Sequence, residues 1–177
     1  MSYNLLQFDN LDSTNKKAKE MAAHGAVPWT VVAAGRQGAG YGRKGDGWYS
    51  PEGGLYFSAV LPKSNIDDLQ TLTTMAAAIV AKTIKENFGI EPFIKLPNDV
   101  YVNGKKVCGI LTENVVGNDV KLSVIGIGLN TNIEKFPPAL EKTATSLKME
   151  LKRDIDNKAV LEQIVLELQK LLESIKQ

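Results

Sequence analysis

FIKLPNDVYVNGKKVCGILTENVVGNDVKLSVIGIGLNTN, residues Phe93 to Asn132, decides how this chain folds. Asn103-Gly104 and Gly117-Asn118 each stand between runs rich in β-branched residues, and such pairs, which accept φ > 0, favour two-residue hairpins. Phe93 to Gly128 is therefore expected to be an antiparallel meander. Two features exceed what sheet building requires. Lys95 lies in an apolar run that Leu96-Pro97 interrupts, with Asn98-Asp99 following at once, and Lys106 opens the strand VCGIL. A lysine turned into a site stabilises phosphoryl or carboxylate charge, and Asp99 can hold Mg²⁺ beside nucleotide phosphates. The plainer alternative stays open: lysines that guard a sheet edge, and a turn at Asn98-Asp99. The glycines of Gly126-Ile-Gly128-Leu-Asn130 suit close approach of a ligand or another backbone.

Upstream, Gly35 to Ser58 reads GRQGAGYGRKGDGWYSPEGGLYFS. Apolar runs flank it, TVVAA (Thr30 to Ala34) and LYFSAVL (Leu55 to Leu61), and their composition predicts two strands. The loop is thus held by a sheet at both ends. Free N–H groups in such a loop form a concavity for anions, and Arg43 and Lys44 add positive charge. Gly40 to Gly45 matches the dinucleotide pattern G-x-G-x-x-G, but that pattern must open a helix, which Gly47, Pro51, Gly53 and Gly54 forbid. A kinase-type glycine loop would need the H-R-D and D-F-G motifs, and the chain has neither. A plain surface loop remains the alternative.

Elsewhere the pattern predicts a strand near Asn4 to Phe8, a helix opening at Asp12-Ser13-Thr14 and closing at Gly25, and a long helix from Ile66 to Phe88. Leu69, Leu72, Met75, Ile79 and Ile84 mark the apolar face of that helix, and its alanines suggest close packing on a sheet. Phe136-Pro137-Pro138 and Ala144-Thr145-Ser146 read as loops. A last amphipathic helix runs from Asn157 to Ile175, capped by Asp156. Ser13 and Thr14 either cap their helix alone or also face a ligand. Cys108 fits a buried small side chain better than a nucleophile. The architecture expected is α/β (α+β): a mixed, largely antiparallel sheet with helices packed mainly on one face.

With 177 residues, 44% hydrophobic content and a net charge of +1, the chain is expected to form one domain, residues 1–177. Near neutrality argues against a nucleic-acid surface. One cysteine allows no internal disulfide. The N-terminus lacks signal-peptide character and no run is of membrane-spanning length, so a cytoplasmic location without membrane contact is expected.

Four motifs occur in order: DSTN (Asp12 to Asn15), the glycine loop, KLPNDVYVNGKKVCGIL (Lys95 to Leu111) and VIGIGLNTN (Val124 to Asn132). Together they resemble the catalytic domain of biotin protein ligases, over about Leu5 to Asn132 and more loosely through the last helix. The resemblance implies a two-step reaction. Biotin and ATP give biotinyl-5′-AMP and pyrophosphate; a lysine of a biotin carboxyl carrier domain then takes the biotin and releases AMP. It implies that Ser13, Thr14, Gln37, the Gly40 and Tyr41 backbone, Gly109 and Ile110 bind biotin. Lys106 would contact both the biotin carboxylate and the α-phosphate, and Arg43 would order the loop. Gly42, Arg43 and Lys44 would serve the adenylate, Trp48 would stack on adenine, and Asn130 would hydrogen-bond it. Lys95, Asn98 and Asp99 would serve the phosphates and Mg²⁺.

The chain departs from the family pattern at Tyr41, where many members carry arginine, at Asp46, where many carry a second basic residue, and at Leu96, which replaces a tryptophan. An N-terminal DNA-binding domain and the usual C-terminal barrel are expected to be absent. That leaves open a separate chain supplying the barrel, a minimal ligase, or a binding subunit without turnover. Family members are often dimers through the sheet edge. A lipoate or octanoate ligase is the nearest enzyme rival, though its usual R-R-x-S-G-G-G-A motif is missing.

Overall fold

The computed structural model describes residues 2–62, 68–115 and 122–175. Seven strands, β1 (Asn4–Leu11), β2 (Thr30–Gln37), β3 (Leu55–Leu61), β4 (Phe93–Lys95), β5 (Asp99–Val102), β6 (Lys105–Asn114) and β7 (Ser123–Leu129), form one sheet. Its order is β1-β2-β3-β7-β6-β5-β4. β1 runs parallel to β2, and every other neighbouring pair is antiparallel. The expected mixed, largely antiparallel sheet is therefore present. Asn103 and Gly104 have φ of 49° and 77°, so the β5–β6 turn uses the left-handed conformations that this pair tolerates. The predicted turn at Gly117-Asn118 lies outside the described residues, although β6 and β7 pair up to Asn114 and Ser123 on either side of it.

The described residues also form four helices: α1 (Thr14–Ala23), α2 (Leu69–Phe88), α3 (Leu147–Leu151) and α4 (Asn157–Ser174). Ser13, Asp68, Ser146 and Asp156 cap them, each side chain accepting from backbone N–H groups of the first turn. Gly89, at φ 66°, ends α2 as expected. The predicted start of α2 at Ile66 lies outside the described residues.

The two long helices, α2 and α4, cover one face of the sheet. Phe57, Ala59, Cys108, Ile110, Ile125 and Ile127 meet Ala76, Val80, Ile84, Ile164 and Leu168 there. The apolar face of α2 differs slightly from expectation: Met75 and Ile79 are only half-buried, while Ala76, Ala77 and Val80 are fully buried. Small side chains let the helix approach, so they, and not the larger neighbours, form the contact seam. α1 takes the opposite face, packing Ala18 and Ala22 on Val32, Val60 and Val124. It covers only part of that face; Trp48 of the glycine loop packs on it at Gly109 and Gly128. α3 was not foreseen, since five residues are too few to show a helical period.

Candidate functional site

Lys106 reaches the loop-covered face through an irregularity in β6. Val100 pairs with Cys108, but Tyr101 pairs with Lys106, so Val107 is an extra residue in a β-bulge. In an unbroken strand Lys106 would share the face of Cys108 and Ile110 and point into the core beneath α2. The bulge turns it to the other face. There its Nζ lies 2.7 Å from Asp99 Oδ1 and 5.1 Å from the centroid of the Trp48 ring. Val107 and Cys108 both stay fully buried. The backbone of Lys106 is held as well, its N–H donating to Thr143 O (2.8 Å) and its carbonyl accepting from Thr145 N (3.0 Å). Asp99 Oδ1 also accepts from Asn98 Nδ2 at 2.8 Å, so Asp99 fixes the ammonium in place. Burial pushes the Cys108 thiol far up, which leaves it inert as a nucleophile.

The glycine loop is a small hairpin. Trp48 N–H donates to Gly40 O, Gly42 N–H to Asp46 O, and Gly45 turns the tip at φ 79°. Its base is tied to β1, Gly38 and Ala39 donating to Leu11 O and Asp12 O. Several amides expected to be free for an anion are thus used by the loop itself. The hairpin delivers Trp48 onto the sheet at two register-paired glycines, Gly109 and Gly128. A Cβ at Gly128 would lie 2.4 Å from Trp48 Nε1, and one at Gly109 3.1 Å from the ring. Gly126 is required for a different neighbour: a Cβ there would lie 1.9 Å from Asn15 Oδ1.

Trp48 and Lys106 form the wall between two cavities. The first, about 60 Å³, lies at the N-terminus of α1 and is lined by Ser13, Thr14, Gln37, Tyr41, Gly42, Asn98, Gly109 and Ile110 among others. Its polar floor is ordered. Gln37 Oε1 accepts from Thr14 N (2.8 Å), Gln37 Nε2 donates to Ser50 Oγ (2.9 Å), and Ser58 Oγ donates to Asn15 Oδ1 (2.6 Å). Ser13 therefore caps α1 and lines the cavity at once, while Thr14, the first residue of the helix, also lines it and donates its N–H and hydroxyl to Gln37. The second cavity, about 240 Å³, is bounded by Tyr49, Tyr101, Asn130, Phe136, Leu140 and Ala144 as well. Asn130 Nδ2 donates to Thr145 O at 3.0 Å, but its buried Oδ1 and the buried Trp48 Nε1 have no partner among the described residues. An unpaired buried acceptor is costly unless a ligand donor meets it.

Other candidates lie further out. Arg43 is exposed and lines a third cavity with Leu69, Gln70 and Pro97; Asn98 and Ile110 reach both this cavity and the first. Gly40 is buried behind Gln37 and Ser50, where a Cβ would meet Ser50 Oγ at 2.8 Å. Lys44 and Lys95 are exposed, with Lys95 Nζ 5.9 Å from the Tyr101 ring. Asn15, Lys19 and Glu113 were missed. Glu113 accepts from Lys19 Nζ (2.6 Å), Asn15 Nδ2 (2.8 Å) and the Tyr41 hydroxyl (2.8 Å). Burial raises its carboxyl, but the bonds from Lys19, Asn15 and Tyr41 outweigh that and hold it below the ordinary 4.5. Nothing in the strand's alternation marked it out. Asn15, inside DSTN, was the one available signal.

The mixed α/β fold with its seven-stranded, mostly antiparallel sheet matches the biotin protein ligase catalytic domain. Biotin protein ligase from Aquifex aeolicus, solved in complex with biotin and ATP, superposes with a TM-score of 0.88 at 34% identity, covering 98% of this chain and 72% of that one. The chain belongs to the Biotin/lipoate A/B protein ligase family, whose sequence profile matches residues 8–130. The bifunctional ligase/repressor BirA of Bacillus subtilis is 41% identical over 171 residues, 94% of this chain and 53% of the relative. A biotin–[acetyl-CoA-carboxylase] ligase of Paracoccus denitrificans is 34% identical over 72% of this chain and 54% of its own length. The chain spans about half the length of the curated relatives it matches.

Proposed function

We propose that the chain is an ATP-dependent biotin protein ligase catalytic domain that forms biotinyl-5′-AMP and passes biotin to a lysine of a biotin carboxyl carrier domain. The observation that carries this reading is Lys106, set between two cavities of different character. Biotin would occupy the first, with its ureido group at Ser13, Thr14 and Gln37 and its chain along Gly109 and Ile110. Tyr41, Gly42 and Trp48, which wall this cavity on one side, all belong to the hairpin. Adenine would enter the second against Trp48, its exocyclic amine donating to Asn130 Oδ1. That arrangement brings a carboxylate and an α-phosphate to Lys106 Nζ.

In the first step a carboxylate oxygen attacks the α-phosphorus, the bond to the bridging oxygen of pyrophosphate breaks, and pyrophosphate leaves with that electron pair. Two anions must approach for this to happen. Lys106 offsets their repulsion and gains as charge shifts onto the phosphoryl oxygens, while Asp99 keeps it aimed; a preorganised donor of this kind contributes about 10²–10³ in rate. Arg43, Lys44, Lys95 and Asn98 would serve the leaving phosphates. Among the described residues no cluster of three metal-ligating side chains exists. Asp99, whose Oδ1 is held by Lys106 and Asn98, would offer a carboxylate to a Mg²⁺ that arrives with the nucleotide, since such ions bind by one or two carboxylates plus phosphates. The ion would supply charge neutralisation at the phosphates. In the second step the acceptor amine attacks the carbonyl carbon and AMP leaves.

Lipoate is the rival acid within the same family. The lipoyl-type glycine motif is missing from the sequence, and the polar floor of the first cavity suits a ureido group, so biotin is favoured. The single, buried cysteine fits the cytoplasmic reading. Titration calorimetry with biotin, lipoate and octanoate tests the assignment: tight binding of biotin alone supports it, and preference for a fatty acid sinks it.

A further inference from the structure

Glu113 gathers donors from segments far apart in the chain. Lys19 Nζ lies on Oε1, while Asn15 Nδ2 and the Tyr41 hydroxyl share Oε2. Lys19 Nζ also stands 5.8 Å from the centre of the Tyr41 ring, so the tyrosine is held at its hydroxyl and over its face. Asn15 is itself pinned by Ser58 on β3 and by Leu111 O on β6, which makes the carboxylate a fixed anchor. Tyr41 is the first residue of the hairpin beyond Gly40. The hairpin is thus fastened at its base, by Trp48 on Gly109 and Gly128, and at the Tyr41 hydroxyl.

We propose that Tyr41, Glu113 and Lys19 form a clasp that holds the glycine hairpin down over the sheet and sets how fast a bound acyl adenylate escapes. The three are positioning residues: they act through Trp48 and the loop backbone and carry no reacting atom. Lys19 on α1 supplies the positive charge that lets Glu113 stay ionised while it accepts from the Tyr41 hydroxyl. The name of the adenylate rests on the ligase reading; the clasp itself does not.

The test uses the full chain and Tyr41→Phe, which removes the hydroxyl alone. Amide hydrogen exchange of the ligand-free protein should accelerate about tenfold across residues 40–48, with β3 amides keeping the parent's protection. Release of preformed biotinyl-AMP, followed by dilution into excess biotin, should quicken by about the same factor. Glu113→Gln should act in the same direction, and Lys19→Arg should keep parent values because it preserves the ion pair. Unchanged loop exchange in Tyr41→Phe would overturn the clasp, and a loosened loop with unchanged release would overturn its part in retention. A parent chain that forms no adenylate would instead overturn the ligase reading, with the ligand-free exchange still deciding the clasp.

Discussion

Lys106 and Cys108 stand two residues apart on β6 yet point to opposite faces of the sheet, because Val107 is an extra residue between their partners Tyr101 and Val100. One bulge therefore separates the core side chain from the charge that faces both cavities. Without it an ammonium would be driven under α2, where burying it unpaired is severely unfavourable.

Replacing Lys106 by alanine should slow biotin-dependent adenylate formation about a hundredfold or more, with a much smaller loss of biotin affinity. Pre-steady-state kinetics separates the two. Deleting Val107 should leave Lys106 facing the site, now next to Cys108 in an unbroken alternation, so adenylate formation should fall far less than in Lys106→Ala, while the loss of a fully buried valine lowers stability, readable as a lower midpoint in urea.

At Gly128, alanine would force Trp48 off the sheet, since its Cβ has only 2.4 Å to Nε1. The expected result is a shift in tryptophan fluorescence and a loss of nucleotide affinity. Gly126→Ala should behave differently. It collides with Asn15, which is buried and bonded to Ser58 and Glu113, so it should cost about 1–3 kcal/mol of stability by the usual penalty for overpacking. Chemical denaturation of the two variants distinguishes them.

Asn130→Ala should weaken ATP binding about tenfold while leaving biotin affinity nearly intact, because the side chain lines the second cavity and not the first. Calorimetry with each ligand alone checks this. Equal losses for both ligands would mean that the side chain only holds Thr145 in place.

Glu113 also predicts a pH dependence. Its folded carboxyl is lowered from 4.5, so its contribution to stability is complete above that ordinary value and is lost as pH falls through the folded value. The stability advantage of the parent over Glu113→Gln should be flat from neutrality to about pH 5–6 and shrink below. A flat difference down to pH 3 would contradict the assignment of the charge.

Local signals made much of the fold legible. Asn103-Gly104 announced its turn, Asp156 and Gly89 marked helix ends, and the alanines of α2 foretold close packing, because each acts on its own few residues. Gly126 and Gly128 were legible as points of close approach. What approaches them was not, since Asn15 and Trp48 meet β7 only after the sheet is assembled. The Glu113 cluster was hidden for the same reason, its partners lying 94, 98 and 72 residues away. The bulge left one trace that can now be interpreted: Lys106 is in phase with the core residues Cys108 and Ile110, a parity that only an extra residue reconciles.

The most direct test of the central claim is biotin-dependent exchange of labelled pyrophosphate into ATP by the purified chain with Mg²⁺, with lipoate run in parallel. It requires no acceptor protein and reports the step at Lys106 alone. The account predicts exchange with biotin, absence of exchange with lipoate, and a loss of about a hundredfold in Lys106→Ala. Exchange driven by lipoate, or an unimpaired Lys106→Ala variant, would contradict it.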